Sequence, residues 1–116
     1  MTLAPGNPSR GSTTGRPVMV LFDILGQRWT LRILWELREG PLTFRDLQAR
    51  CGDISPSLLN TRLKSLRALG LVTHQEGEGY GYTPLGEDLT KQLALFDRWA
   101  EKWAAELELA KKREKG

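Results

Sequence analysis

Asn60, Lys64 and Arg67 recur at spacings of four and three, and Ser57 and Thr61 fall on the same side of a 3.6-residue helix. The set is short, polar and cationic, and no carboxylate interrupts it. Side chains of this kind read duplex DNA: an Asn amide pairs bidentately with adenine, Arg and Lys reach guanine or phosphate, and Ser and Thr suit phosphate or the thymine methyl group. Asn60 is the expected base reader. Lys64 and Arg67 are open between guanine and phosphate. Ser55 begins the helix, whose first backbone N–H groups favour a phosphate. Arg45, earlier in the chain, could clamp the backbone, and Arg62 is as well suited to an internal tie as to DNA. The plain alternative is the solvated face of an ordinary amphipathic helix.

The elements that would hold these residues can be read around them. Leu59, Leu63 and Leu66 recur at i, i+4 and i+7 on the opposite side, with Leu58 and Leu69 on the flanks. Ser55 can cap this helix, Pro56 suits its first turn and Gly70 suits the position just past its end, which gives a recognition helix over 55–69. Before it, Thr43 caps a short helix over 44–50 with Phe44 and Leu47 facing inward, and Cys51-Gly52-Asp53-Ile54 supplies a tight turn. Helix, glycine-containing turn and helix make a helix-turn-helix. Residues 71–75 and 80–83 read as two strands joined by a turn over 76–79, which is a wing. The glycines of that turn open no helix, so they make no nucleotide-binding loop.

Further out, 28–38 reads as a helix with Leu31, Ile33, Leu34 and Leu37 on its core side, stopped by Gly40-Pro41. Residues 17–25 form a helix that is apolar nearly all round and needs cover from a partner subunit, through Val18, Leu21, Phe22 and Leu25. The last helix starts at Pro84 and runs to about Lys111. Its Leu89, Leu93, Phe96, Ala100, Trp103 and Leu107 alternate spacings of four and three, a seam of 3.5-residue period widened by Leu95 and Trp99. The expectation is a homodimer seam. Residues 1–16 read as a disordered tail and 111–116 as a basic solvated tail, leaving one domain over 17–110. The fold class is mainly α with a small β-hairpin: a winged helix-turn-helix with an extra C-terminal dimerisation helix.

Composition narrows the function. The chain has 116 residues, 17 basic and 14 acidic, a net charge of +3 that permits a local nucleic-acid patch. Residues 43–70 carry five cations against two carboxylates, so affinity should lean on dimer avidity and fall with salt. Cys51 is the one cysteine and suits a reducing compartment, and with the one histidine, His74, it cannot build a metal site. No cofactor, nucleophilic triad or paired carboxylates are evident, so an enzyme is not expected. No apolar run approaches membrane-spanning length; the expectation is a cytoplasmic protein with no membrane partner. Trp29, Trp35, Phe96, Trp99 and Trp103 could line a pocket for an unidentified small-molecule effector, or simply be core. The rival function is a winged-helix protein-interaction module without DNA binding.

The chain resembles the HxlR-type winged helix-turn-helix transcriptional regulators of bacteria, relatives of the MarR group. The resemblance rests on Gly26-x-Arg28-Trp29-Thr30, Ile33-Leu34-x-x-Leu37, Gly40-Pro41-x-x-Phe44-x-x-Leu47, Ile54-Ser55-x-x-x-Leu59-x-x-Arg62-Leu63-x-x-Leu66, Gly70-Leu71-Val72 and Tyr82-Thr83-Pro84-Leu85-Gly86. It implies a homodimer joined through its first and last helices, with double-stranded DNA as partner, and control of transcription, usually repression. Two features depart from it. The oxidant-sensing members carry a cysteine before the first helix, where this chain reads Gly15-Arg16-Pro17-Val18. The hairpin tip is short and carries Glu76 and Glu78, which phosphates repel.

Overall fold

The computed structural model describes residues 16–115; of the expected tail over 1–16, all but Arg16 lies outside them, as does Gly116. Five helices and one hairpin follow in order: α1 (Pro17–Leu25), α2 (Thr30–Glu36), α3 (Phe44–Arg50), α4 (Pro56–Ala68), β1 (Val72–Gln75), β2 (Gly79–Tyr82) and α5 (Pro84–Lys115). This is the expected mainly helical fold with a small hairpin.

Local chemistry sets the boundaries. Thr43 Oγ1 accepts from the Asp46 amide at 3.1 Å, and Ser55 Oγ accepts from the Leu58 amide at 3.2 Å. Each hydroxyl satisfies a first-turn donor that the helix itself leaves open. At the far end of α4 the Leu71 amide returns to Leu66 O and the Gly70 amide to Arg67 O, both at 3.0 Å. Gly70 has φ +75°, the left-handed turn that closes a helix in this way. The same paired bonds close α3 at Gly52 and Asp53.

The core is one cluster. Ile33, Leu34 and Leu37 of α2 meet Leu47 and Cys51, then Leu59, Leu63 and Leu66 of α4, with Ile54, Leu71 and Val72 closing it. Two elements differ from expectation. Helix α2 starts at Thr30 because Trp29 takes φ +78° and interrupts the helical run from residue 28. Its buried stripe is then Thr30, Ile33, Leu34 and Leu37, and Leu31 points outward at 43% exposure rather than into the core. Gly79 belongs to β2, so the wing turn is the three residues 76–78.

The hairpin pairs Val72 with Tyr82 and Gln75 with Gly79. Leu42 adds a single bridge to Tyr80, exchanging bonds of 2.9 and 2.7 Å, which clamps the wing to the loop before α3. Tyr82 Oη donates to Leu34 O. Thr83 Oγ1 donates to Gly70 O at 2.5 Å and accepts from the Gly86 amide at 3.0 Å, so one hydroxyl both caps α5 and ties it to the end of α4.

Helix α5 has 32 residues, about 48 Å at 1.5 Å per residue. Leu89 packs on the domain core, yet every described residue from Leu95 onward is exposed. It runs to Lys115, past the expected end near Lys111. The radius of gyration is 16.8 Å, against about 13 Å for a compact 100-residue chain, because this helix leaves the body behind.

Candidate nucleic-acid interface

Helix α4 buries Leu59, Leu63 and Leu66 completely and turns Ser57, Asn60, Thr61, Lys64 and Arg67 to solvent. Ser55 is exposed at its start, and Arg45 is exposed on α3. All seven residues assigned to DNA from the sequence therefore lie on accessible surface, with five of them along one face of a single helix.

Their hydrogen-bond states differ. Ser55 Oγ is already an acceptor for the Leu58 amide, which leaves its proton to donate outward. Thr61 Oγ1 donates to Ser57 O at 3.0 Å, so its methyl group and lone pairs are what it presents. Ser65 repeats the pattern one turn later, donating to Thr61 O at 3.3 Å. None of the ion pairs among the described residues involves Asn60, Lys64 or Arg67.

Two of the five cations of this segment have partners within the chain. Arg50 faces Glu39 at 3.8 Å. Arg62 Nε donates to Arg28 O at 2.7 Å and Nη1 reaches Gln27 Oε1 at 3.4 Å, so it rivets α4 to the loop after α1. Arg45, Lys64 and Arg67 enter none of the ion pairs among the described residues. The sequence showed Arg62 near the apolar stripe but gave no sign of its partner, which is a backbone carbonyl far away in the chain.

The wing tip is exposed and carries Glu76 and Glu78, and His74 is exposed on β1 with its ring 4.5 Å from that of Tyr80. Cys51 is 1% exposed, and burial pushes its thiol above the ordinary value, against the lowering pull of Arg32. Reactive cysteines need the reverse, a stabilised thiolate within reach of solvent. Among the described residues no group of His, Cys, Asp and Glu could hold a metal, and no helix is long and apolar enough to cross a membrane.

The surface assigned to a second subunit divides. Val18 is 49% exposed and Phe22 58%, while Leu21 and Leu25 are half-buried against their own core. On α5, Leu89 and Leu93 are half-buried, and Phe96, Ala100, Trp103 and Leu107 are exposed. Trp99 and Trp103 stack with ring centroids 6.2 Å apart. The aromatic set does not close into one pocket. Trp29 packs on the core, while Trp35 and Phe96, with Leu31 and Leu93, line an open cleft of about 360 Å³ between α2 and α5.

A family model described as HxlR-like helix-turn-helix matches residues 24–108. The chain is similar to the uncharacterized HTH-type transcriptional regulator YtfH of Escherichia coli, 34% identical over 83 residues, covering 64% of each protein. The match thus spans 64% of the length of that relative. The uncharacterized HTH-type transcriptional regulator YvaP of Bacillus subtilis is 30% identical over 87 residues, 70% of this chain and 81% of its own. Among solved structures, quinone-bound YodB from B. subtilis superposes with a TM-score of 0.68 at 29% identity, covering 73% of this chain and 94% of that one. The reduced form of the transcriptional regulator YodB gives 0.65 at 28%, covering 72% and 88%.

Proposed function

The chain belongs to the HxlR-like helix-turn-helix family, and from that premise we propose that it is a sequence-specific DNA-binding regulator of transcription that acts as a homodimer and represses. The observation that carries this reading is the exposed face of α4. Asn60, Lys64 and Arg67 stand on it without a carboxylate, on a helix capped at both ends and fixed to the core by three fully buried leucines.

Each recognition helix would enter a major groove, and a twofold pair would meet half-sites about 34 Å apart. Asn60 reads a base. Lys64 and Arg67 meet guanine or phosphate. Ser57 and Thr61 line the groove, and Ser55 and Arg45 hold the backbone. The second subunit covers the exposed apolar residues of α1 and α5. A dimer lying over two successive grooves occludes a promoter, the simplest route from binding to repression. The cleft between α2 and α5, which Arg32 and Asp97 also line, is where a small-molecule effector would bind.

Asn60→Ala and Lys64→Ala should be titrated against duplex DNA from the region upstream of the protein's own gene. Asn60→Ala is expected to cost about 1–3 kcal/mol and to relax specificity at one position. Lys64→Ala should weaken binding, across all sequences if its partner is phosphate. Wild-type binding by both variants would remove the assignment. Wild-type protein that binds no duplex at any salt concentration would point to the protein-interaction module.

A further inference from the structure

We propose that Thr61 reads the 5-methyl group of a thymine through its own Cγ2 methyl, and that its hydroxyl takes no part in binding. The proposal rests on reading the exposed face of α4 as the one that enters the groove, and it assigns one base group within that reading.

The hydroxyl is already committed. Thr61 Oγ1 donates its single proton to Ser57 O at 3.0 Å, one turn back along the helix. Oxygen and methyl group turn together about Cα–Cβ, so the bond that holds one of them holds the other. Ser65 repeats the arrangement one turn later, donating to Thr61 O at 3.3 Å. Among the described residues no such bond draws in the hydroxyl of Ser57. Ser57 and Thr61, a matched pair of hydroxyls in the sequence, therefore differ at the surface. Ser57 shows an oxygen with its proton to give, and Thr61 shows a methyl group. Ala68, exposed seven residues after Thr61, continues this apolar line within a face that is otherwise polar.

The position fits a base contact. Thr61 is exposed, and on the 3.6-residue period it lies about 170° round the helix from the middle of the stripe formed by Leu59, Leu63 and Leu66. With those leucines held in the core, α4 would reach deepest into a groove along the line that carries Thr61. A short side chain touches the groove floor only there, whereas Asn60 and Arg67 lie to one side and need their greater length. Thr61 also falls in the first half of α4, the part of a recognition helix that contacts base edges.

What Thr61 presents selects the partner. A phosphate oxygen accepts hydrogen bonds, and Thr61 has no proton left to offer one. In the major groove, thymine alone among the four bases carries a methyl group at its edge. Methyl against methyl removes both from water, and a cytosine at the same place leaves a gap. Burial of one such group is worth about 0.8 kcal/mol, or about fourfold in affinity. One Thr61 in each half-site makes that about fifteenfold for the dimer. The contact adds sequence preference and, being uncharged, leaves the salt dependence alone.

The test uses one duplex from upstream of the gene, made once with thymine and once with deoxyuridine throughout. The two differ only in the 5-methyl groups. Full-length wild type, Thr61→Val and Thr61→Ser are titrated against both. Valine keeps a methyl group and loses the hydroxyl, and serine does the reverse. Wild type should bind the uridine duplex at least about fifteenfold more weakly. Thr61→Val should keep that ratio. Thr61→Ser should bind the thymine duplex about fifteenfold more weakly than wild type, and its own thymine-to-uridine ratio should shrink by the same factor, because the contact can be removed only once. Each ratio is internal to one protein, so altered folding does not move it, and any effect of uridine on DNA shape is common to all three. A wild-type ratio in Thr61→Ser overturns the proposal. So does a lost ratio in Thr61→Val, which would make the hydroxyl the reader, and so does equal binding of wild type to the two duplexes. The two readings fail separately: if Asn60→Ala and Lys64→Ala lose binding while Thr61→Ser keeps the wild-type ratio, only the role of Thr61 is lost. If wild type binds neither duplex, both fall.

Discussion

At the scale of single residues, the two groups with shifted titration among the described residues, Cys51 and Tyr82, are structural. Burial raises both the Cys51 thiol and the Tyr82 phenol above their ordinary values of 9.0 and 10.0, because a dry interior disfavours the anion. Both groups titrate at higher pH when folded than when unfolded. Their contribution to stability is thus complete below the unfolded values and is lost as pH rises through the folded ones. Thermal melts should hold steady up to about pH 9 and then fall as the solution becomes more alkaline. Tyr82→Phe should flatten the upper part of that fall and cost roughly 1 kcal/mol at neutral pH, since its bond to Leu34 O disappears. A melting temperature independent of pH across this range would contradict the assignment. The residues proposed to face DNA could be picked out because they repeat on one side of a helix, and the structure leaves that side exposed. Arg62 was set apart by its place near the apolar stripe, but its partner Arg28 O, like the Glu39 partner of Arg50, could not be read, because such bonds arise only when distant parts of the chain meet.

At the scale of elements, local signals located α1, α3 and α4 well. Ser55, Pro56 and Gly70 act on neighbouring backbone groups, so their effect is readable without knowing the fold. Helix α2 was harder. Its start depends on a left-handed tryptophan, which no composition announces, and its inward stripe begins with Thr30, whose hydroxyl disguised a buried position. The bridge between Leu42 and Tyr80 was invisible, since a single pair has no period. The join between wing and α5 makes a sharp prediction. A methyl group on Gly86 would lie 2.0 Å from Leu71 O, far inside contact distance, and that oxygen belongs to backbone that cannot swing away. Gly86→Ala should destabilise the domain by about 1–3 kcal/mol, the range for overpacked positions, although alanine favours helix. A denaturant midpoint equal to or above wild type would show that this contact relaxes freely.

At the scale of the whole molecule, the proposed second subunit rests on the length of α5 and the exposure of its aromatic residues. Phe96 is 68% exposed, Trp99 58% and Trp103 52%, all on a helix that leaves its own domain. In the proposed dimer this is the surface that the second subunit covers, as exposed apolar patches commonly serve as interfaces. Phe96→Glu combined with Trp103→Glu should give monomers in sedimentation velocity, with the helical signal of the DNA-binding domain retained, since neither ring belongs to its core. A double variant that still sediments as a dimer would place the interface elsewhere. Of the residues that the spacing put on the seam, the structure leaves Phe96, Ala100, Trp103 and Leu107 exposed. Leu89 serves its own core, and the exposed seam begins further along the helix.

Leu71 joins these scales. Its amide closes α4, its carbonyl accepts from Thr83 at 3.2 Å, and α5 passes so near that only glycine fits at residue 86. The reading head and the strut that would carry its twin are thus soldered at one peptide, with no hinge between them. In the proposed dimer, a regulator built this way would act as a calliper of fixed gap. One base pair added between half-sites turns the second by about 34° of helical phase, and so stiff a frame would reject the altered site instead of flexing to follow it.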